Sequence, residues 1–183
     1  MKKPPKAEPH HDHAVQFYRD DAALIATLRR FVREGLNASQ PVIVIATPEH
    51  RFELSSMLMQ DGAGSHFEQQ GSLWMLDARE TLESFMVDGM PDPQQFQRVI
   101  GGLLDMARVT RTGSVRAYGE MVDLLWKEGK PEAAIRLEVM WNGLAATQQF
   151  MLLCGYSIGS FYKETTGFDI GDVCCQHARV LPA

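Results

Sequence analysis

The segment Pro41–Thr47 (PVIVIAT) constrains the fold more than any other part of the chain. It is an unbroken apolar run, rich in β-branched residues, without the polar alternation of a strand that has one face in water. Strands of this kind are covered on both faces and belong to parallel sheets flanked by helices. Phe150–Gly155 (FMLLCG) is a second run of the same type. The two runs together predict an α/β fold.

Three further segments have the length and composition of strands: His13–Tyr18, Ser72–Asp77 and Ser114–Tyr118. Apolar residues at helical spacing fill the intervals between the five strands, and right-handed crossovers then give a mainly parallel sheet. The predicted helices follow Asp20 or Asp21 up to Leu36, and then cover roughly Pro48–Gln60, Ala78–Val87, Pro93–Val109, Met121–Glu128, Pro131–Thr147 and Ile170–Ala178, with a loop at Asp88–Asp92. We expect a flexible tail over residues 1–12 and a single three-layer domain over residues 13–183, with helices on both faces of the sheet.

Composition excludes several classes of protein. The chain has 183 residues, a net charge of −5 and no apolar run near the roughly 20 residues of a membrane span. Basic residues are dispersed, and the local group Arg29, Arg30 and Arg33 fits the wet side of a helix, so we predict no nucleic-acid binding. No secretory signal is present, which predicts a cytoplasmic protein. The three cysteines, Cys154, Cys174 and Cys175, are predicted to be reduced, buried apolar residues.

Ligands of open parallel sheets bind at the carboxyl ends of the strands, which selects the polar residues to consider. Strand ends place Thr47, His50, Asp77, Glu120 and Tyr156 there. The carboxylates of Asp77 and Glu120 suit either acid–base chemistry or helix capping. Three tyrosines at strand ends, Tyr18, Tyr118 and Tyr156, could offer hydroxyls to a small molecule or to ordinary buried partners.

Three kinds of chemistry find weak support in the sequence. The position of a phosphate-binding loop reads TPEHR, without the glycines and lysine that cradle a nucleotide, and this disfavours ATP hydrolysis. A triad of Cys154, His50 and Glu120 has no supporting local motif, because the cysteine lies inside an apolar run. His11 and His13 could share a strand face as metal ligands, but no third ligand is evident. We therefore predict no metal and no cofactor.

Several motifs in one order resemble the MEDS sensory-domain family of methanogens, methylotrophs and a dichloromethane dehalogenation repressor. They are DHAVQFY, VIVIATPEHR, FMVDGMPD, VRAYGEMVDLLW, EVMWNGL, FMLLCGYS and CCQHARVLPA, and they span residues 12–183. The resemblance implies a fold like that of RecA and KaiC ATPases, without a working Walker A loop. The positions that match the family's polar motif residues are Asp12, His13, Tyr18, His50, Asp88, Glu120, Trp126 and Asn142. The sequence has Arg179 where the family often has a second histidine.

We therefore expect a non-catalytic sensor of a bacterial signalling or transcription-regulation system. The ligand, apolar or derived from a hydrocarbon, would bind at the carboxyl ends of the strands. The candidate ligand-binding residues are His13, Tyr18, Thr47, His50, Asp77, Tyr118, Glu120, Trp126 and Tyr156. The sequence ends at Ala183, so output is expected to need a separate partner, such as a histidine kinase or regulator. A homodimer through the helices around Trp126 and Trp141 is a further expectation. The alternative function is a degenerate nucleotide-binding ATPase or a hydrolase with Glu120 or Asp77 as base.

Overall fold

The computed structural model describes residues 13–61, 71–110, 114–162 and 168–181. The strands of these ranges are β1 His13–Tyr18, β2 Val42–Ala46, β3 Leu73–Asp77, β4 Met86–Val87, β5 Met90–Pro91, β6 Val115–Gly119, β7 Phe150–Ser157 and β8 Arg179–Leu181. The α-helices are α1 Asp21–Asn37, α2 Pro48–Gln60, α3 Ala78–Glu83, α4 Pro93–Phe96, α5 Gly102–Thr110, α6 Met121–Lys127, α7 Pro131–Ala145 and α8 Ile170–Cys174. A π-helical turn, Gln97–Gly101, joins α4 to α5, and a 3₁₀ turn, Ile158–Tyr162, follows β7. The predicted tail, with His11 and Asp12, lies outside the described residues.

Six strands form one parallel sheet in the order β3-β2-β6-β7-β1-β8. Two separate hydrophobic cores cover its faces. Val42 and Val44 of β2 pack with α1 and α2 on one face, whereas Ile43 and Ile45 pack with α3 to α8 on the other. The predicted three-layer α/β architecture is confirmed, because the PVIVIAT strand is buried on both sides.

Local differences from the predicted elements have simple causes. The helix predicted over Ala78–Val87 ends at Glu83, and the predicted loop Asp88–Asp92 is largely a hairpin of β4 and β5. Asp88 and Gly89 form its turn, with φ of 50° and 79°, the left-handed values that Asp and Gly tolerate best. The helix predicted over Pro93–Val109 is interrupted by the π-helical turn.

The end of the chain also differs from its prediction. The last helix stops at Cys174 rather than Ala178, and the unpredicted strand β8 pairs with β1. Cys154 is buried as expected, but the prediction is wrong for Cys175, which is exposed. The solvent-facing interpretation of the α1 arginines is confirmed, since Arg30 and Arg33 are exposed. Within the described ranges, no helix combines the length and the apolar character needed to cross a bilayer.

The topology marks one place at the carboxyl edge of the sheet. The neighbouring strands β2 and β6 are followed by helices on opposite faces, because α2 joins one core and α6 the other. In open α/β sheets this divergence is where ligand sites form. Thr47 directly follows β2 and Glu120 directly follows β6, so both lie at this switch point.

Candidate functional site

The Glu120 carboxylate is the centre of a polar network at this edge. The residue is only 1% exposed. Its Oε2 accepts the backbone N–H of Thr47 at 3.2 Å and lies 2.8 Å from Nδ1 of His50. Its Oε1 accepts the Tyr118 hydroxyl at 3.0 Å. Glu120 occupies the N-cap position of α6 without capping it through its side chain, so the capping interpretation is wrong for this residue.

His50 lies between two carboxylates. It belongs to the first turn of α2, and its Nε2 is 3.2 Å from Oδ1 of Asp21 on α1. Burial alone would lower the pKa of His50, but the hydrogen bonds and charges of Glu120 and Asp21 outweigh it and raise the pKa to about 9. His50 is therefore an imidazolium at neutral pH, and it ties α1 and α2 to β6.

Asp123 is a second buried carboxylate, which the sequence reasoning missed. It is 1% exposed and accepts the hydroxyl of Tyr18 at 3.0 Å. Its other partners are the Ser157 backbone N–H at 3.0 Å, the Ser160 hydroxyl at 3.2 Å and the Lys127 ammonium at 2.8 Å. The sequence contains a signal that could have revealed Asp123. Residues three apart on a helix share a face, and Asp123 follows Glu120 at that spacing.

Each strand-end tyrosine donates a hydrogen bond to a buried carboxylate: Tyr118 to Glu120, Tyr18 to Asp123 and Tyr156 to Glu138. Burial raises the pKa of Tyr18, Tyr118 and Tyr156, and neighbouring carboxylates raise each of them further. Each hydroxyl therefore keeps its proton. Gly155 leaves the space that Tyr118 occupies, because a Cβ at this position would lie 2.5 Å from the Tyr118 oxygen.

The buried carboxylates of Glu120 and Asp123, with their hydrogen-bond partners, form what we call the acidic network. An aromatic cluster lies next to it on the α6 face of the sheet. It consists of Phe17, Trp126, Tyr156 and Phe161. The Trp126 ring centroid lies 4.6 Å from that of Phe161 and 6.0 Å from that of Tyr156. Trp126 is 2% exposed, and its Nε1–H has no hydrogen-bond partner among the described residues. A buried, unpaired N–H is costly, which makes this donor suited to an acceptor on a bound molecule.

Asp77 has a structural role instead. It is the N-cap of α3, accepting the backbone N–H groups of Arg79 and Glu80, and it pairs with Arg51 at 2.7 Å. Burial would raise its pKa, but these backbone donors and the Arg51 guanidinium hold the pKa below its usual range. Of the two open interpretations of Asp77, helix capping is confirmed.

His13 and Tyr156 belong to a different group of side chains, which surrounds Glu138. His13 is at the amino end of β1, and the Tyr156 hydroxyl donates to Glu138 of α7 at 3.0 Å. Cys154 lies 3.4 Å from Nε2 of His13 and not beside His50, which agrees with the prediction that Cys154, His50 and Glu120 form no triad. Asn142 is also in this group, whereas Asp88 is exposed at the β4–β5 turn.

Three surface cavities of the described residues are lined by neither Glu120 nor the aromatic cluster, and one of them is a groove on the outer face of α1 beside Arg29 and Arg33. A cleft of about 270 Å³ lies under α1 at the amino ends of the strands, and its lining includes Phe31, Arg116 and Met151. A shallower depression of about 600 Å³ lies between α2 and β3, beside Phe52 and Trp74. The carboxyl-edge residues themselves are packed shut, since Tyr18, Tyr118, Glu120 and Trp126 are all at most 2% exposed.

The His50 pKa predicts a specific pH dependence of stability. The folded-state pKa of about 9 is above the usual value of 6.5, so the stabilisation is complete below pH 6.5 and is lost as pH rises through 9. Against a His50→Gln variant, wild type should lose an advantage of about 2 kcal/mol between pH 6 and pH 10, measured by urea unfolding. Asp21 and Glu120 are the charged groups facing His50, and the edge of the Tyr18 ring packs on it. A constant difference between the two proteins over this range would show that His50 is not held as an imidazolium.

Comparison with known proteins identifies the family of the chain. No curated protein matches the chain. The family model of the MEDS domain, described as the methanogen/methylotroph, DcmR sensory domain, matches residues 12–178. This match covers almost the whole chain, including both groups of buried polar residues and the aromatic cluster. The chain therefore belongs to the MEDS family of sensory domains.

Proposed function

We propose that the chain is a non-catalytic sensor in a signalling or transcription-regulation system. Its ligand is a small apolar molecule, such as a hydrocarbon derivative, that carries one hydrogen-bond acceptor. It binds at the carboxyl edge of the sheet, between the aromatic cluster and the acidic network. The observation that carries the proposal is the indole N–H of buried Trp126, which has no hydrogen-bond partner in the described part of the chain and lies among aromatic rings, one helical turn from Asp123.

The chemistry of the two groups suits such a ligand. Apolar sites with a few placed polar groups are the usual form of a small-molecule pocket. The rings of Phe17, Tyr156 and Phe161 would contact the hydrocarbon part. The Trp126 N–H would donate to the acceptor. Phe161 is the least buried of the four rings, so its displacement is the simplest way to admit a ligand.

The network also offers a way to transmit binding. Glu120 immediately precedes α6 and Asp123 lies in its first turn, and their partners come from β1, β6, α2 and the 3₁₀ turn. A ligand that moves Trp126 moves α6, and with it the acids on which these contacts depend. The ligand can shift the protein between two conformations, and so change the surface that a partner meets, only if it binds one conformation more tightly than the other. A separate histidine kinase or regulator as that partner, a homodimer and a cytoplasmic location stay predictions.

Two contacts weigh against the enzymatic alternative. The backbone N–H of Thr47, at the position of a phosphate-binding loop, already donates to a carboxylate. A phosphate there would meet Glu120 at close range, without a lysine to neutralise it. Asp77 is tied to Arg51 and its pKa is lowered, which makes it a weak base. These contacts favour binding without turnover.

A screen of short-chain alcohols, ketones, aldehydes and haloalkanes tests the proposal. We expect at least one class to raise the melting temperature of wild type in proportion to its concentration. Trp126→Phe keeps a ring but removes the N–H donor, and it should weaken that binding about tenfold, the value of one hydrogen bond. Trp74→Phe, on the edge strand β3, is the matched control and should bind as wild type does. Failure of every class, or equal binding by Trp126→Phe, would contradict the proposal.

A further inference from the structure

We infer that His13, Glu138, Cys154 and His177 form a binding site for a divalent transition metal, best matched to zinc. The four residues come from β1, α7, β7 and the segment after α8. One ligand atom from each lies within 4.8 Å of all the others. Two imidazole nitrogens, one sulfur and one carboxylate oxygen are a usual donor set for zinc.

The distances match the edges of a tetrahedron around a metal. Zinc bonds of 2.0 to 2.3 Å place neighbouring ligand atoms about 3.3 to 3.8 Å apart. Nε2 of His13 is 3.3 Å from Oε2 of Glu138 and 3.4 Å from Sγ of Cys154. The sulfur is 3.6 Å from the same carboxylate oxygen, so these three atoms are spaced as in a tetrahedral site. Nε2 of His177 is 3.4 Å from the other carboxylate oxygen, Oε1, and a ligand atom of each of the four residues lies within 4.8 Å of the rest, which a small side-chain adjustment closes around one ion.

The outer nitrogens of both histidines are fixed as they are around bound metals. Nδ1 of His177 lies 2.7 Å from the backbone oxygen of Val173, which can only accept, so Nδ1 carries the proton. Nδ1 of His13 lies 2.8 Å from Oδ1 of Asn142, whose Nδ2 donates to the backbone oxygen of Gln176. Both inner nitrogens are therefore free to coordinate through a lone pair. Metal-ligating histidines are oriented in the same way by outer-shell acceptors.

Burial and charge point in the same direction. The side chains of Glu138 and His177 are fully buried, and Nε2 of His177 makes no hydrogen bond with the described residues. With a divalent ion, the Glu138 carboxylate, the Cys154 thiolate and two neutral imidazoles add to zero charge. Binding therefore removes net charge from a dry site and releases the thiol proton to solvent. The alternative is a metal-free ion pair between Glu138 and a protonated histidine, in which Cys154 stays a thiol.

The metal would have a structural role. All four coordination positions are filled by the protein, as in structural rather than catalytic zinc sites. The ion would join His177, just before β8, to the centre of the sheet. Tyr156 links this site to the aromatic cluster, because its hydroxyl donates to Glu138 while its ring contacts Trp126.

Metal uptake by the reduced full-length chain tests the inference. We expect one equivalent of Zn²⁺ per chain by elemental analysis, and with Co²⁺ a thiolate-to-metal absorption band in the near ultraviolet. Cys154→Ser should abolish the band and lower zinc affinity at least 100-fold, whereas Cys175→Ser, outside the cluster, should leave both unchanged.

A second variant covers the case in which Cys154→Ser does not fold. Asn142→Ala keeps all four ligands and loses only the acceptor for His13, so affinity should fall 10- to 100-fold with the band retained. Circular dichroism checks the fold of each protein. Folded wild type that binds no Zn²⁺ or Co²⁺ at micromolar concentrations would overturn the inference. Stoichiometric uptake without the thiolate band, or uptake unchanged in both Cys154→Ser and Asn142→Ala, would overturn it as well.

Discussion

Replacing Glu120 by leucine is expected to lower the free energy of unfolding by about 4 kcal/mol. The substitution keeps much of the side-chain volume but leaves the His50 imidazolium, the Thr47 N–H and the Tyr118 hydroxyl without their acceptor. Removing one partner of a buried ion pair costs 3 to 5 kcal/mol, because the other charge stays buried and uncompensated. Urea unfolding at pH 7 measures the loss.

Two further variants separate charge from general damage. Glu120→Gln keeps an acceptor oxygen and loses only the charge, so its cost should be intermediate and the His50 pKa, followed by NMR, should fall. Asp105→Leu breaks a surface pair with Arg108, in which Asp105 is 67% exposed, and should cost less than about 1 kcal/mol. A Glu120→Leu cost as small as that of Asp105→Leu would show that the network does not hold the carboxyl edge together.

Replacing Trp126 by alanine should cost about 3 to 5 kcal/mol. The indole is almost completely buried against Tyr156 and Phe161, and removing it leaves a cavity as well as lost apolar burial. Trp126→Phe should cost roughly half as much, because most of the ring contacts survive. Melting curves and urea unfolding of both variants measure these differences.

The pair of Trp126 variants also distinguishes packing from recognition. If Trp126 only fills the core, Trp126→Phe lowers stability and leaves small-molecule binding intact. If its N–H recognises a ligand, Trp126→Phe also loses about tenfold in affinity, measured under conditions in which the variant is fully folded. A Trp126→Ala protein as stable as wild type would contradict the packing described for α6.

The architecture was predictable because its strongest signals are local. Unbroken apolar runs such as PVIVIAT specify strands covered on both faces, and helical spacing between them specifies the outer layers. The order of the strands was not predictable, because it depends on contacts between segments far apart in sequence. The β4–β5 hairpin and β8 were missed because strands of two or three residues have no periodicity to detect.

The acidic network was predicted in part. Thr47, His50, Tyr118 and Glu120 converge as the strand-end rule implies, and the Tyr18 ring packs on His50 while its hydroxyl donates to Asp123. Asp77 lies at the same edge but caps the amino end of α3. His13 and Tyr156 instead face Glu138. The sequence pattern of β1 and β7 could not show which side chains face Glu138, because both faces of these strands are buried.

The four candidate metal ligands could not be assembled from the sequence. They show none of the close Cys and His spacings that reveal zinc sites, because each comes from a different element. The family resemblance pointed to His13 and Asn142 without indicating which acid and which thiol meet them. The fold supplies that information by placing α7 against the start of β1 and the middle of β7.

The proposed function requires a small molecule to bind at the carboxyl edge of the sheet. The most direct test is the Trp126 indole N–H resonance in ¹⁵N-labelled protein, followed during titration with the compound that most raises the melting temperature. We expect a large, saturable shift of this resonance and nuclear Overhauser contacts from the compound to Phe17 and Phe161. An unchanged Trp126 resonance, with contacts instead to Phe31 and Met151 in the cleft under α1, would contradict the proposed function.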